Sequence, residues 1–251
     1  MNDSTSDRVI RFEGAKNVRD LGGLSTVSGA RTRYGSVYRS DGLSRLTDGD
    51  LEVLASLEIH SIIDLRYEEE RERAPDRLPP DHSFEVFIRG FLPKGSLEMF
   101  DGVNNRGADA DAAFKLMCSN YARIPYEHAA EFKDVMYHVI QPGAAPHLIH
   151  CTSGKDRTGI VAAFILLAVG VSIAEVVADY ELSNGEWQPV DVFGPKANPE
   201  AIDMVMSARP EYIVAAIEAI DCQSGSFDAY LRDYLAFEAP ERGRLRTLML
   251  E

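Results

Sequence analysis

The chain has 251 residues, enough for one large domain, with 45% apolar and 26% charged residues, an ordinary balance for a folded globular protein. Its formal net charge of -14 argues against a nucleic-acid partner, because phosphate backbones are bound by basic patches. It also opposes general attraction to an anionic membrane surface, so any anionic substrate needs a locally positive site.

The opening stretch "MNDSTSDRVIRFEG" lacks the apolar run of a signal peptide. The most apolar segment, Ile160 to Val169, is about half of the ~20 residues a bilayer span requires, so no stable membrane insertion is expected. Cys118, Cys151 and Cys222 are too few and too far apart to suggest a disulfide framework or a zinc site. A reducing cytoplasm is the expected setting, with neither a metal nor a cofactor.

In chain order, "GSVYRS" reads as a short strand and "TDGDLEVLASLE" as a helix, with Thr47 as N-cap and Asp50 three residues on. "HSIIDLR" is a β-branched strand ending in charge, and "FEVFI" is another. Residues 92–125 lose this clear pattern and turn polar, glycine-rich and acidic, the composition of a lid or variable segment. "PYEHAAEFKDVMYHVIQPG" predicts one amphipathic helix stopped by proline and glycine, and "PHLIH" a buried strand.

Helices dominate the remainder. Ser172 with Glu175 caps "IAEVVADYELSN", Asn198 and Pro199 open a further helix, and three helical stretches run to the C-terminus. The fold class expected is α/β: a central, mostly parallel sheet flanked by helices, with a helical lid and C-terminal helical decoration, in one domain spanning residues 1–251.

The chemistry concentrates in "HCTSGKDRTG", His150 to Gly159, between the apolar runs "PHLI" and "IVAAFILLAV". Charged residues are rarely buried unpaired, so this cluster belongs at a cleft. Strand, glycine-containing loop and helix N-terminus together form an anion site, where backbone N–H groups converge and the helix dipole adds positive potential. Thr152, Ser153, Gly154, Lys155, Asp156 and Arg157 are the candidate phosphate-binding residues.

A cysteine beside cations at a helix N-terminus favours its thiolate, which makes Cys151 the candidate nucleophile. Arg157 can curl back to grip two phosphate oxygens in a fork. In-line attack would give a phosphocysteine that water then hydrolyses, with Thr158 donating a hydrogen bond to the departing sulfur. A Walker loop is excluded, since Ile149 stands where its first glycine is needed and Asp156 follows the lysine.

The leaving group needs a carboxylic acid. Asp64, at the end of a core strand, leads, against the alternative of an ion pair with Arg66. Asp156 competes, as the acid, as a water-orienting group or as an anchor for the loop. Asp101, Asp109 and Asp111 read as solvated charges. Lys155 is a further candidate, against the reading of a surface lysine. His150 either bonds the loop backbone and tunes Cys151 or simply ends a strand. Asn17, Arg19 and Asp20 either brace the site or form a turn.

"HCTSGKDRTG" resembles the signature of the protein-tyrosine phosphatase superfamily: a cysteine, five residues, then arginine and threonine. "NVRDLGG", "VYRSDGLSRL", "IIDLR", "ADYELSN" and "GSFDAYL" extend the likeness to an atypical bacterial branch that also acts on phosphoinositides. Residues 92–125 match least. The resemblance implies a cysteine-phosphatase-like fold and a metal-independent phosphomonoesterase acting on phosphotyrosine, or also on phosphoserine and phosphothreonine. It implies a phosphorylated protein or a phosphoinositide as substrate, its "DLR" motif favours Asp64, and its lysine, as in the phosphoinositide-active branches, implies that Lys155 contacts a second phosphate or an acidic neighbour. The rivals are a phosphoinositide phosphatase and a silent phosphate-binding module. A cysteine protease is weaker, because neighbours on a strand, such as His150 and Cys151, point to opposite faces.

Overall fold

In the computed structural model, which describes residues 7–185 and 192–251, five strands form one sheet in the order β1-β2-β5-β3-β4. They are β1 (Arg19–Asp20), β2 (Val37–Ser40), β3 (Ser61–Asp64), β4 (Glu85–Ile88) and β5 (His147–His150). Only β1 runs antiparallel to its neighbour; β2, β5, β3 and β4 are parallel. Parallel strands have both faces covered, which is why their short cores read as continuous apolar runs.

Alternation still divides the side chains between two layers. Tyr38, Ile62 and Leu148 pack with Leu54 of helix α1 (Asp48–Ser56) and with Phe12 and Val18. Val37, Ile63 and Ile149 face a larger helical layer. Thr47 caps α1 with both halves of the capping box, so that boundary is as its residues predict.

The larger layer is organised around α6 (Asp156–Val169), which is buried on nearly every side. A helix apolar all round belongs inside a fold, and each fully buried Ile, Leu or Phe contributes about 1.5–3 kcal/mol. It is followed by α7 (Ile173–Glu181), α8 (Pro199–Met206), α9 (Pro210–Ser224), α10 (Phe227–Asp233) and α11 (Ala239–Met249). Ser172 and Asn198 accept hydrogen bonds at their helix starts, as caps should.

Residues 92–125, weakly patterned in sequence, are helical, as a helical lid requires: α3 (Lys94–Asn105) and α4 (Ala110–Glu127) pack together, and α4 also meets α8 and α9. Met99 and Val103, then Ala113, Met117, Tyr121 and Ile124, supply a 3.6-residue apolar stripe that intervening Gly, Asn and Asp obscure. The single helix expected across residues 125–143 is instead divided. Helix α4 continues through Pro125 to Glu127, and α5 (Ala129–Val139) begins beyond His128.

Helix α2 (Glu68–Arg73) was invisible to apolar periodicity, having no buried residue. Its signal is electrostatic: three glutamates in the first turn and arginines in the last, complementing the helix dipole.

Candidate active site

The parallel register aligns the C-terminal ends of three strands, with Ser40 and Asp64 both opposite His150. Ligand sites of open α/β sheets lie at this carboxyl edge. Residues 151–155 form the loop there, and Asp156 and Arg157 open α6.

Three successive loop carbonyls are tied outward. Thr152 O accepts from Gly42 N at 3.2 Å, Ser153 O from Asn17 Nδ2 at 3.4 Å, and Gly154 O from Arg39 Nη2 at 2.7 Å. Gly154 has φ +66°, and a Cβ there would lie 2.4 Å from Ser40 O, so only glycine fits between the loop and β2. Binding the carbonyl edge outward leaves the N–H edge and the start of α6 to an anion.

Behind the loop, Asp179 of α7 gathers three guanidiniums. Arg39 Nη1 lies 2.8 Å from Oδ2, Arg19 Nε 3.1 Å from Oδ1, and Arg8 also pairs with Oδ1. Burial alone would raise the Asp179 carboxyl, but Arg19, Arg39 and Arg8 hold it far below the usual carboxylate range. Burial and then Arg39 bring Arg19 down to about 10, still a cation at neutral pH. Three positive groups on one negative group leave an excess of positive charge beside the loop. Asn17 and Arg19 therefore brace the loop, whereas Asp20 closes a turn by accepting from Gly22 N and Gly35 N.

Cys151 is 1% exposed, at the floor of the loop, on the same face as Ile149. Arg157, likewise buried, directs its fork at protein rather than outward. Glu70 of α2 takes Nη1 at 2.6 Å and Nη2 at 2.7 Å, while Nη1 also reaches Leu65 O and Phe91 O. Burial opposes the Arg157 charge, but the Glu70 bonds and then Cys151 raise its pKa above the usual arginine value. The same pair holds Glu70 below the usual carboxylate range, against the pull of its own burial. Thr152 Oγ1 completes the knot, 2.5 Å from Glu70 and 3.3 Å from Arg157 Nη2. Glu70 thus holds both η nitrogens of the fork expected to grip phosphate, and Nε is the donor that no described group engages.

Asp64 also departs from its leading expectation. Arg66 Nε and Nη2 bond its two oxygens at 2.9 and 2.8 Å, and Arg66 N adds a third bond. Burial pushes the Asp64 carboxyl up, but the Arg66 bonds and then His150 carry it below the usual range. A carboxylate so paired resists protonation and is poorly suited to donate a proton; the ion-pair alternative describes it. Arg66 further bonds Asp76 at 2.7 Å, and His150 Nε2 lies 3.3 Å from Asp76 and 3.9 Å from Asp64. Burial works against a charged His150, yet Asp76 and then Asp64 raise its pKa overall. Asp64, Asp76 and His150 are close enough to bracket a metal ion, but the Arg66 cation already occupies both carboxylates.

Lys155 turns away from the loop. Its ammonium bonds Val205 O and Ser207 O (3.3 Å) at the C-terminal end of α8, and lies 3.5 Å from Asp156 Oδ1. The acidic neighbour is therefore present, while the side-chain contact to a second phosphate is not supported. Asp156 keeps a third of its side chain exposed and accepts from Tyr121 Oη at 2.6 Å. Thr158 is fully buried and its hydroxyl has no partner among the described residues. Sequence reasoning assigns no role to Glu70, Asp76, Tyr121 or Asp179. Asp179 lies within "ADYELSN", one of the stretches that carry the resemblance, and Glu70, four residues beyond "DLR" in an acidic helix start, carries a local signal; Asp76 and Tyr121 carry neither.

The model of the tyrosine phosphatase family matches residues 10–251. A Cupriavidus necator protein assigned as a tyrosine-protein phosphatase is 30% identical over 92% of this chain and 86% of its own. The triple specificity protein phosphatase PtpB of Mycobacterium tuberculosis is 32% identical over 90% of this chain and 93% of its own. Among solved structures, the core catalytic domain of the PP-IP phosphatase SIW14 from S. cerevisiae covers 78% of this chain and 88% of its own at 17% identity, with a TM-score of 0.41. Among the described residues, no helix is long and apolar enough to cross a membrane.

Proposed function

The chain belongs to the tyrosine phosphatase family, and we propose that its reaction runs through Cys151, Arg157 and Asp156 on phosphotyrosine. The observation that carries this reading is the loop itself, tied by its carbonyls around a buried cysteine and followed by Arg157 in the first turn of α6.

The Cys151 thiolate attacks phosphorus, forming an S–P bond as the bond to the tyrosyl oxygen breaks. Asp156 gives that oxygen its proton. Backbone N–H groups of residues 152–157 and Arg157 Nε stabilise the equatorial oxygens. Water then attacks phosphorus and passes a proton to Asp156, while the sulfur leaves with a hydrogen bond from Thr158. Asp156 is preferred to Asp64 because no described group bonds its Oδ2, whereas Arg66 holds both oxygens of Asp64.

Phosphotyrosine in proteins leads over phosphoinositides because Lys155, the natural contact for a second phosphate, is engaged by α8. The free, exposed Cys222 fits a reducing compartment.

The test is hydrolysis of p-nitrophenyl phosphate and of a phosphotyrosine peptide in the presence of a chelator. Cys151→Ser should abolish both, and full activity in that variant excludes the mechanism. Asp156→Asn should slow poor leaving groups most; if Asp64→Asn does so instead, the acid role returns to Asp64. A faster rate on phosphoinositide headgroups than on the peptide reverses the substrate assignment.

A further inference from the structure

Two phenols stand behind Asp156 where apolar rings would pack as well. Tyr121 of α4 and Tyr180 of α7 are almost fully buried in the larger apolar layer, with ring centroids 6.1 Å apart and edge-on. Their hydroxyls lie 2.7 Å from one another, and Tyr121 Oη lies 2.6 Å from Asp156 Oδ1. A buried hydroxyl needs a partner, and losing it costs more than the bond returns. Phenylalanine at both positions would fill the same space with nothing to satisfy.

The direction of the chain follows from the groups. Tyr121 Oη donates to Asp156 Oδ1, so its hydrogen is committed there, and Tyr180 must then donate to the Tyr121 oxygen. Burial, and then the Asp156 charge, push both phenols well above their usual range, so they remain neutral donors. The other charged groups facing Asp156 are Lys155 Nζ, 3.5 Å from the same Oδ1, and Arg157. Gly159 makes room: a Cβ there would lie 3.0 and 3.1 Å from the Tyr180 ring.

We propose that Tyr121, backed by Tyr180, is a positioning residue that fixes Asp156 through Oδ1 and leaves Oδ2 as the oxygen that carries the transferred proton. The inference rests on the acid role proposed for Asp156. When Asp156 donates, the new carboxylate keeps its Tyr121 bond; when it takes a proton from water, the proton returns to the same oxygen. Helix α4, in the segment whose pattern is least legible, thereby supplies part of the acid–base apparatus.

The experiment compares Tyr121→Phe, Asp156→Asn and their combination on p-nitrophenyl phosphate, which needs little leaving-group protonation, and phenyl phosphate, which needs more. Tyr121→Phe should lower kcat/KM for phenyl phosphate about 10-fold, the scale of one hydrogen bond to a charged group, and leave kcat/KM for p-nitrophenyl phosphate nearly unchanged, since this ratio reports the first transfer and not the hydrolysis step the two substrates share. In the Asp156→Asn background it should add nothing. An equal fall in kcat/KM on both substrates, or a further fall in that background, overturns the proposal. If Asp156→Asn itself shows no leaving-group dependence, the acid assignment fails and takes the proposal with it. That outcome is distinct from a normal Asp156→Asn effect beside a silent Tyr121→Phe, which overturns only the positioning role. Should Tyr121→Phe fold poorly by leaving the Tyr180 hydroxyl unpaired, the double variant Tyr121→Phe/Tyr180→Phe removes both hydroxyls, keeps the rings and must show the same pattern.

Discussion

Glu70 grips both η nitrogens of Arg157, at 2.7 Å or less. A residue from a six-residue helix with no buried side chain thus sets the orientation of a buried cation beside Cys151. The charged pair is held between the Leu65 and Phe91 carbonyls on one side and the Thr152 hydroxyl on the other. Such a fork has one geometry, and it leaves Nε with no partner among the described residues.

Replacing Glu70 by glutamine keeps the shape but removes a charge-assisted pair. Hydrogen bonds to charged groups contribute about 1.5–3 kcal/mol, so kcat/KM should fall roughly 10- to 100-fold. Inhibition by inorganic phosphate should weaken in parallel, while the unfolding midpoint moves little. A variant that loses stability but retains phosphate affinity would show Glu70 to be only a packing residue.

Gly154→Ala tests the loop itself. The left-handed backbone, with φ +66°, costs a side-chain residue on the order of 1–3 kcal/mol, and the new methyl would meet Ser40 O. The loop must then open from β2, breaking the Arg39 bond to Gly154 O. Stability should drop by at least that amount in urea unfolding, and phosphate protection against unfolding should disappear.

Asp179→Ala would leave Arg8, Arg19 and Arg39 buried without their counter-ion. Breaking a buried pair from one side typically costs about 3–5 kcal/mol. The pH dependence has a definite sign. Because the Asp179 pKa is lowered on folding, its contribution is present above the unfolded carboxyl value, about 4, and declines as pH falls further. Acid unfolding of the parent should therefore steepen below about pH 4, and that component should be missing from the variant.

How much of this was legible depends on range in sequence. Cys151, Gly154, Arg157 and Thr158 are within eight residues, and their spacing alone implies a loop at a helix start. The parallel strands follow from β-branched runs, and α1 from the Thr47 and Asp50 box. The partners are another matter. Asp179 lies 160 residues from Arg19, and Tyr121 35 residues from Asp156, in helices whose polar side chains look like any surface group. Asp64 is ambiguous in sequence because a strand-end carboxylate beside Arg66 reads as an acid or as half of an ion pair. Only the two bonded oxygens separate those readings.

Asp41 provides a test with the opposite pH sign from Asp179. Its backbone N donates to Lys16 O while its Oδ1 accepts from Lys16 N at 2.7 Å, and Ser40 just before it touches Gly154. Burial raises its pKa to about 7, only partly offset by the Lys16 bond and by His150. A carboxyl raised on folding stabilises the fold relative to its ionised form below the unfolded value, near 4, and that contribution is lost as pH rises to about 7. Asp41→Asn can still accept from Lys16 N and never ionises. It should leave stability nearly unchanged at pH 4 and raise it by up to about 4 kcal/mol at pH 8, each pKa unit being worth ~1.4 kcal/mol. Urea unfolding at the two pH values measures the difference. An equal effect at both would mean that Asp41 is ionised throughout and that the bond to Lys16, not burial, governs it.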